Sequence, residues 1–332
     1  MIAKFATRLT LLASLCAAGT AFAEYPARNI QAVVPWGAGG ATDTVMRTLI
    51  PHVEQVLDGK FIITNRPGGT AAIGTNYVMQ QRPDGYTVLL GAENPQLYPV
   101  LELAHFDYGD FETINIVGQN PAIIAVPADS PYQTMEALLA AVQAEPDTLR
   151  MGVSGPGSLP NSVHSLISAV QELKVRGVTY PGDGPGITAL LGNHIDFMPL
   201  GLIAAQEMLK AGKLRALAVV ASAELESLPG VPPITQAIPS MERYLPWGSF
   251  WGIWVRKEVP AEARERLSAA FAAAVAKEDF QKFLKGMGAQ PLNLSGDEAG
   301  QYLDHWQSVT AWSMYEAGAL DQSPQVLGIA KP

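Results

Sequence analysis

The chain has 332 residues, with 22 lysines and arginines against 31 aspartates and glutamates and a formal net charge of −9 at neutral pH. An acidic excess of this size repels nucleic acid and anionic membrane surfaces, so neither is expected as a partner. The length allows two domains or one large one, and a single cysteine, Cys16, leaves stability to the hydrophobic core rather than to disulfides.

Residues 1–23 read as a cleaved secretory signal. Lys4 and Arg8 precede an apolar run over 9–18 broken only by Thr10 and Ser14, and Ala21-Phe22-Ala23 follows in the A-x-A pattern of a signal-peptidase site. The run is too short for the ~20 residues that span a bilayer. Leu15 stands where a lipoprotein signal places a small residue before its modified cysteine, so Cys16 is not read as a lipid anchor.

Residues 29–56 form the most structured stretch in the sequence. Ile30, Ala32, Val33 and Val34 read as a buried strand and Pro35-Trp36-Gly37-Ala38-Gly39-Gly40 as a turn. Val45, Met46, Leu49, Ile50, Val53 and Val56 then form the apolar stripe of a helix. The first N–H groups of a helix lack intrahelical partners and sit at the positive end of its dipole, and glycines let an anion approach the backbone closely. The turn is therefore either an anion site or an ordinary connection built with glycine for its geometry. Strands over 60–64 and 86–90 follow, with a helix over 72–81 between them. This β-α-β-α-β pattern predicts a parallel sheet covered by helices, with 36–43, 65–70 and 91–94 sharing one rim at the strand ends.

Two apolar runs, 114–117 and 122–126, flank Gly118-Gln119-Asn120-Pro121, and Thr134 is positioned to cap a helix from Met135. The alternation then restarts: a strand over 149–153, a glycine turn over 154–158, a helix over 162–170 and strands over 175–179, 195–200 and 214–221. Residues 229–246, rich in proline, predict a loop, 249–255 an aromatic strand, and the remainder helices, the last opened by a capping box of Ser295 and Glu298. Two glycine turns in separate β-α blocks suit a ligand held between lobes. A chain leaving one block near 117–126 and returning through 249–255 has two crossing strands, which make a hinge.

Enzyme signatures are weak. Gly152-Val153-Ser154-Gly155-Pro156 lacks the last glycine of a nucleophile elbow, and Gly155-Pro156-Gly157 lacks the third glycine of a dinucleotide fingerprint. None of His52, His105, His164, His194 and His305 forms a close metal-type pair, so no metal and no cofactor are expected. The competing reading is a secreted hydrolase with Ser154 or Ser158 as nucleophile and His164 as base.

Four stretches, in their order along the chain, carry a resemblance. The turn at 35–43, Asn65-Arg66-Pro67-Gly68, Pro83-Asp84-Gly85-Tyr86-Thr87 and Ala211-Gly212-Lys213-Leu214-Arg215-Ala216-Leu217-Ala218 are similar to motifs of the Bug-type periplasmic receptors of tripartite tricarboxylate transporters. The resemblance implies an α/β, two-lobed Venus-flytrap (type II) periplasmic binding fold with a hinge of two crossing strands. It implies one lobe over 24–122 and 249–332 and a second over 123–248, a small carboxylate in the cleft, delivery to membrane permease subunits (or, alternatively, to a signalling partner), and a non-enzymatic, monomeric receptor in the periplasm. Carried onto this sequence, the first binding turn is Trp36, Gly39, Gly40, Ala41, Thr42 and Asp43, and the second is Ser154, Gly155, Gly157 and Ser158. Asp43 either reaches the ligand through water or only caps its helix. Tyr180, Gly182 and Asp196 are wall positions.

Three departures bear on specificity. Asn161 stands at a place commonly held by histidine, Pro181 replaces the lysine of a frequent Y-K-G, and Glu93 and Asn94 end the third strand where small hydroxyl residues are usual. With fewer cationic side chains, a mono- or dicarboxylate is expected rather than citrate, with Glu93 or Asp183 able to accept from an amine or amide.

Overall fold

The computed structural model describes residues 25–180 and 182–332; the signal expected over 1–23, and Pro181, lie outside the described residues. The chain runs β1 (Ile30–Val34), α1 (Ala41–Leu57), β2 (Phe61–Asn65), α2 (Ala72–Met79), β3 (Thr87–Ala92), β4 (Phe111–Asn120), β5 (Ala122–Pro127), α3 (Met135–Ala144), β6 (Arg150–Val153), α4 (Leu159–Ser168), β7 (Arg176–Thr179), α5 (Asp183–Leu191), β8 (Met198–Gly201), α6 (Leu202–Lys210) and β9 (Leu214–Val219). It ends with α7 (Ile234–Ala237), β10 (Ser249–Arg256), α8 (Ala261–Val275), α9 (Glu278–Gly286), β11 (Gln290–Leu294) and α10 (Gly296–Glu316).

These strands form two lobes. The first holds a six-stranded sheet ordered β11-β4-β10-β3-β1-β2, in which β1 is parallel to both β2 and β3. Helix α1 covers it with Val45, Met46, Leu49, Ile50 and Val53, all buried, as the 3.6-residue period requires. The stripe closes on Leu57 rather than Val56, which is 44% exposed. The sheet is not wholly parallel. β10 inserts between β3 and β4 antiparallel to each, because it returns from the other lobe instead of arriving through a helical crossover.

The second lobe carries an antiparallel sheet β8-β5-β9 and a parallel pair β6-β7, joined by a parallel bridge between Met151 and Phe197. β-α alternation alone predicts parallel strands here; β5 departs because it comes straight from β4 across Pro121 with no helix between. The two crossings lie side by side, since Ser249 pairs with Asn120 where β10 re-enters the first sheet.

Helix α10 makes a third connection between the lobes. Trp306 Nε1 donates to the Gly248 carbonyl at 2.8 Å, Trp247 Nε1 donates to Thr310 Oγ1 at 2.9 Å, and Glu316 at the far end accepts from Arg243 and Tyr244. One apolar cluster runs from Trp254 and Phe250 in β10 through Trp306 to Val163 and Leu166 in α4.

Local signals held unevenly. Thr134 caps α3, its Oγ1 accepting from the Ala137 N–H at 3.2 Å. Ser295 sits at the N-cap of α10 but makes no side-chain cap bond, so the capping box with Glu298 is not formed. A capping box needs a helical backbone from the first residue onward, and Gly296 instead has φ +55°. The loop expected over 229–246 contains α7 and a 3-10 turn, Pro239–Tyr244.

Candidate ligand-binding cleft

A cavity of about 630 Å³ opens where the carboxyl ends of the parallel strands meet the crossing strands. Trp36 enters it from the β1–α1 turn, Ala41 and Thr42 from the first turn of α1, Gly68 and Thr70 from the β2–α2 turn, and Ala92, Glu93 and Asn94 from the end of β3. Ser154, Pro156 and Ser158 from the β6–α4 turn face them, with Leu159 and Pro160 at the start of α4 and Gly182 and Asp183 at the start of α5. Asn120, Ser249 and Trp251 on the crossing strands close the wall. No lysine, arginine or histidine is among these lining residues.

Three helices of 17, 10 and 9 residues (α1, α4 and α5) begin at this cavity, and none has a side-chain bond at its N-cap. Their N-caps are Gly40, Ser158 and Gly182. The Ser158 hydroxyl accepts from no first-turn N–H; it lies 2.7 Å from the Gly155 carbonyl and 2.9 Å from Asn161 Oδ1, positioned to donate to either. The first N–H groups of α1 and α4 are thus left to whatever occupies the cleft. Two more polar atoms of lining residues, Trp36 Nε1 and Ser154 Oγ, are buried without a hydrogen-bond partner in the protein. Both atoms are closed off from the open cavity, and unpaired buried atoms also occur on Asn115, Trp254, Arg264 and Tyr302, so what the cleft itself presents to an anion is the first-turn N–H groups of α1 and α4.

Asp43 does not line the cavity. It is 2% exposed and accepts from the Gly39 N–H, Asn65 Nδ2 and Arg47 Nε, each at 2.8 Å. Asn65 Nδ2 also donates to the Trp36 carbonyl at 3.0 Å, so the N-R-P-G turn and Asp43 together brace the first binding turn. Burial acts to raise the Asp43 pKa, but the bonds from Gly39, Asn65 and Arg47 outweigh it and hold the carboxyl below its usual range. Gly39 has φ +78°, which favours glycine, whereas Gly40 at φ −72° does not.

The other expected positions divide in the same way. Trp36, Ala41, Thr42, Glu93, Asn94, Ser154, Ser158 and Gly182 meet at the cavity, while Gly39, Gly40, Gly155, Gly157, Asn161 and Tyr180 are not among its lining residues. Gly155 and Gly157 shape the second turn with φ of +96° and +70°, and Asn161 Oδ1 accepts from the Ser154 N–H at 3.3 Å. Tyr180 hydrogen-bonds through its N–H to the Val153 carbonyl. Asp196 is turned to Arg150, taking bonds from its N–H, Nε and Nη2 at 2.7, 3.1 and 2.8 Å. Thr70 lies in the 65–70 rim read from the sequence, but sequence reasoning missed Asn120, Ser249 and Trp251, although these lie on the crossing strands it identified and could have been found by asking what a hinge brings to the cleft.

The acids inside the cavity behave oppositely to Asp43. Glu93 is 9% exposed; burial pushes it up to about 7, against its own N–H and the Phe250 N–H that donates to it at 3.4 Å, and the charge of Asp183 across the cleft adds to the rise. Burial alone pushes Asp183 up to about 6.

The family model for receptors of the tripartite tricarboxylate transporter family matches residues 45–310. The chain belongs to that receptor family. A UPF0065 protein of Bordetella pertussis is 27% identical over 303 residues, spanning 89% of this chain and 92% of the relative. A TctC solute-binding protein from Polaromonas shares 28% identity and a TM-score of 0.72, covering 89% of this chain and all (100%) of that one. The periplasmic binding protein BugD shares 25% identity and a TM-score of 0.77, covering 90% of this chain and 100% of its own. The receptor is thus a solute-binding protein with the two-lobed fold of these proteins.

Proposed function

We propose that the receptor captures a small organic carboxylate in this cleft, in the periplasm, and as a monomer delivers it unchanged to membrane permease subunits of a tripartite transporter. The observation that carries the carboxylate is the convergence of the uncapped N-termini of α1 and α4 on one cavity. Helix N-termini receive anions without a cationic side chain, which fits a wall lacking lysine, arginine and histidine. The cavity volume lies within the ~300–1,000 Å³ typical of small-molecule sites. The lobes are taken as 24–122 with 249–332, and 123–248, with closure about the paired crossings at Asn120 and Ser249.

Among the described residues, nothing in the cleft assembles a nucleophile with a base. His164 Nε2 lies 3.0 Å from the Leu173 carbonyl and 3.5 Å from Ser168 Oγ, engaged away from Ser154 and Ser158. This supports binding without turnover.

A thermal-shift panel of monocarboxylates, dicarboxylates, amino acids, amides and tricarboxylates, followed by calorimetry, tests the reading. A mono- or dicarboxylate or an amino acid should be the tightest binder, adding ~2.7 kcal/mol of apparent stability at ~100 times its dissociation constant. Citrate as the tightest binder, or a neutral amide that outcompetes every carboxylate, would contradict it.

A further inference from the structure

The uncapped helix N-termini account for an anion, but they leave the two acids of the same cavity without a role. Glu93 stands at the end of β3 and Asp183 in the first turn of α5, one on each lobe. Glu93 is nine-tenths buried and lines the cavity, and among the described residues its carboxylate takes bonds only from its own N–H and, at 3.4 Å, from the Phe250 N–H. Asp183 has no hydrogen-bond partner among the described residues. Among the described residues neither carboxylate has a cation beside it, and the other polar side chains on the wall are threonine, asparagine, serine and tryptophan.

Resting on the carboxylate reading above, we propose that Glu93 and Asp183 form the seat of an ammonium group, so that the receptor's ligand is an amino-carboxylate zwitterion. The carboxylate end lies at the N-termini of α1 and α4, and the ammonium end lies between the two acids. A primary ammonium has three donors and suits two carboxylates from opposite lobes. Bridging both acids would also draw the lobes together. A dicarboxylate would place its second charge against Glu93 and Asp183, and the cavity wall offers no cation to offset that repulsion.

The alternative occupant of this seat is a second carboxylate bound to the acids in their protonated forms, and pH separates the two. The groups facing Glu93 are Asp183, the Phe250 N–H and the phenols of Tyr98, Tyr108 and Tyr302, and burial raises all three phenols so that they stay neutral. Between pH 8 and pH 5 Glu93 and Asp183 are therefore the groups at the seat that titrate.

The test is calorimetry on the intact receptor with 4-aminobutyrate, 6-aminohexanoate and the standard L-amino acids, against glutarate, adipate and hexanoate. Measurements are made at pH 8 and pH 5, on the wild type and on a Glu93→Gln/Asp183→Asn double variant. The best amino-carboxylate should exceed every dicarboxylate at pH 8 and lose at least about tenfold in affinity by pH 5, since both acids take up protons across that interval. The double variant should lose about tenfold or more for the amino-carboxylate and gain for glutarate or adipate. A dicarboxylate that binds best, and tighter at pH 5 than at pH 8, would overturn the ammonium seat and leave the carboxylate receptor standing. Absence of binding by the whole panel would overturn both.

Discussion

Replacing Ala41 with aspartate should abolish carboxylate binding and leave the fold as stable as before, or slightly more so. Ala41 is exposed, lines the cavity and is the first residue of α1. An acid in the first turn is favourable to a helix by ~0.3–1 kcal/mol. The same carboxylate would occupy the N–H groups meant for the ligand and repel it. At a separation of ~4 Å and an effective dielectric of ~20, two like charges cost about 4 kcal/mol, so the affinity should fall by more than about a hundredfold. Ala41→Asn supplies the size without the charge and should retain most of the binding. Calorimetry and thermal melts on the two variants check this; an equal loss in both would mean that bulk rather than charge is excluded at α1.

Glu93→Gln should make the unliganded receptor more stable above pH 7 and flatten its pH profile. Glu93 is raised from 4.5 to about 7 and Asp183 from 3.8 to about 6. An acid whose pKa is higher folded than unfolded binds more protons in the folded state, so stability falls as pH rises through that interval and the cost is complete above the folded value. For a side chain this buried, the cost is on the order of a few kcal/mol. Asp43 and Asp196, both lowered, act in the opposite sense, but only below their ordinary carboxylate range. Urea denaturation of the wild type from pH 5 to pH 8 should therefore show declining stability, and Glu93→Gln should remove most of the decline. A wild-type profile that rises over this range would refute the burial argument, and so would a glutamine variant less stable than wild type at pH 8.

How far the residues alone reveal this site depends on the range of the interactions that build it. The β1-turn-α1 unit is legible because its strand, glycines and helix stripe are contiguous, and Glu93 and Asn94 because they end a clear strand. Asp43 is less legible: whether it faces the ligand or its own turn depends on Asn65 and Arg47, and the bond to Asn65 comes from another strand end. β11 gives no readable strand signal, since Pro291 cannot donate to a ladder and Asn293 has φ +59°; its register with β4 shifts between Pro291 and Leu294. The antiparallel insertion of β10 and the bridging of both lobes by α10 depend on contacts between remote parts of the chain, and period and capping signals do not encode them. Asn120, Ser249 and Trp251 reach the cleft through that same long-range pairing.

The central claim is that a carboxylate sits at the uncapped helix N-termini of the cleft, and a crystal structure of the receptor with the tightest-binding compound of the panel tests it most directly. The carboxylate should lie ~2.7–3.2 Å from backbone N–H groups in the first turn of α1 or α4. A ligand seated instead in the separate cavity between Leu225–Ser227 and Lys285–Pro291, or one in the cleft whose carboxylate faces Glu93 and Asp183, would contradict it.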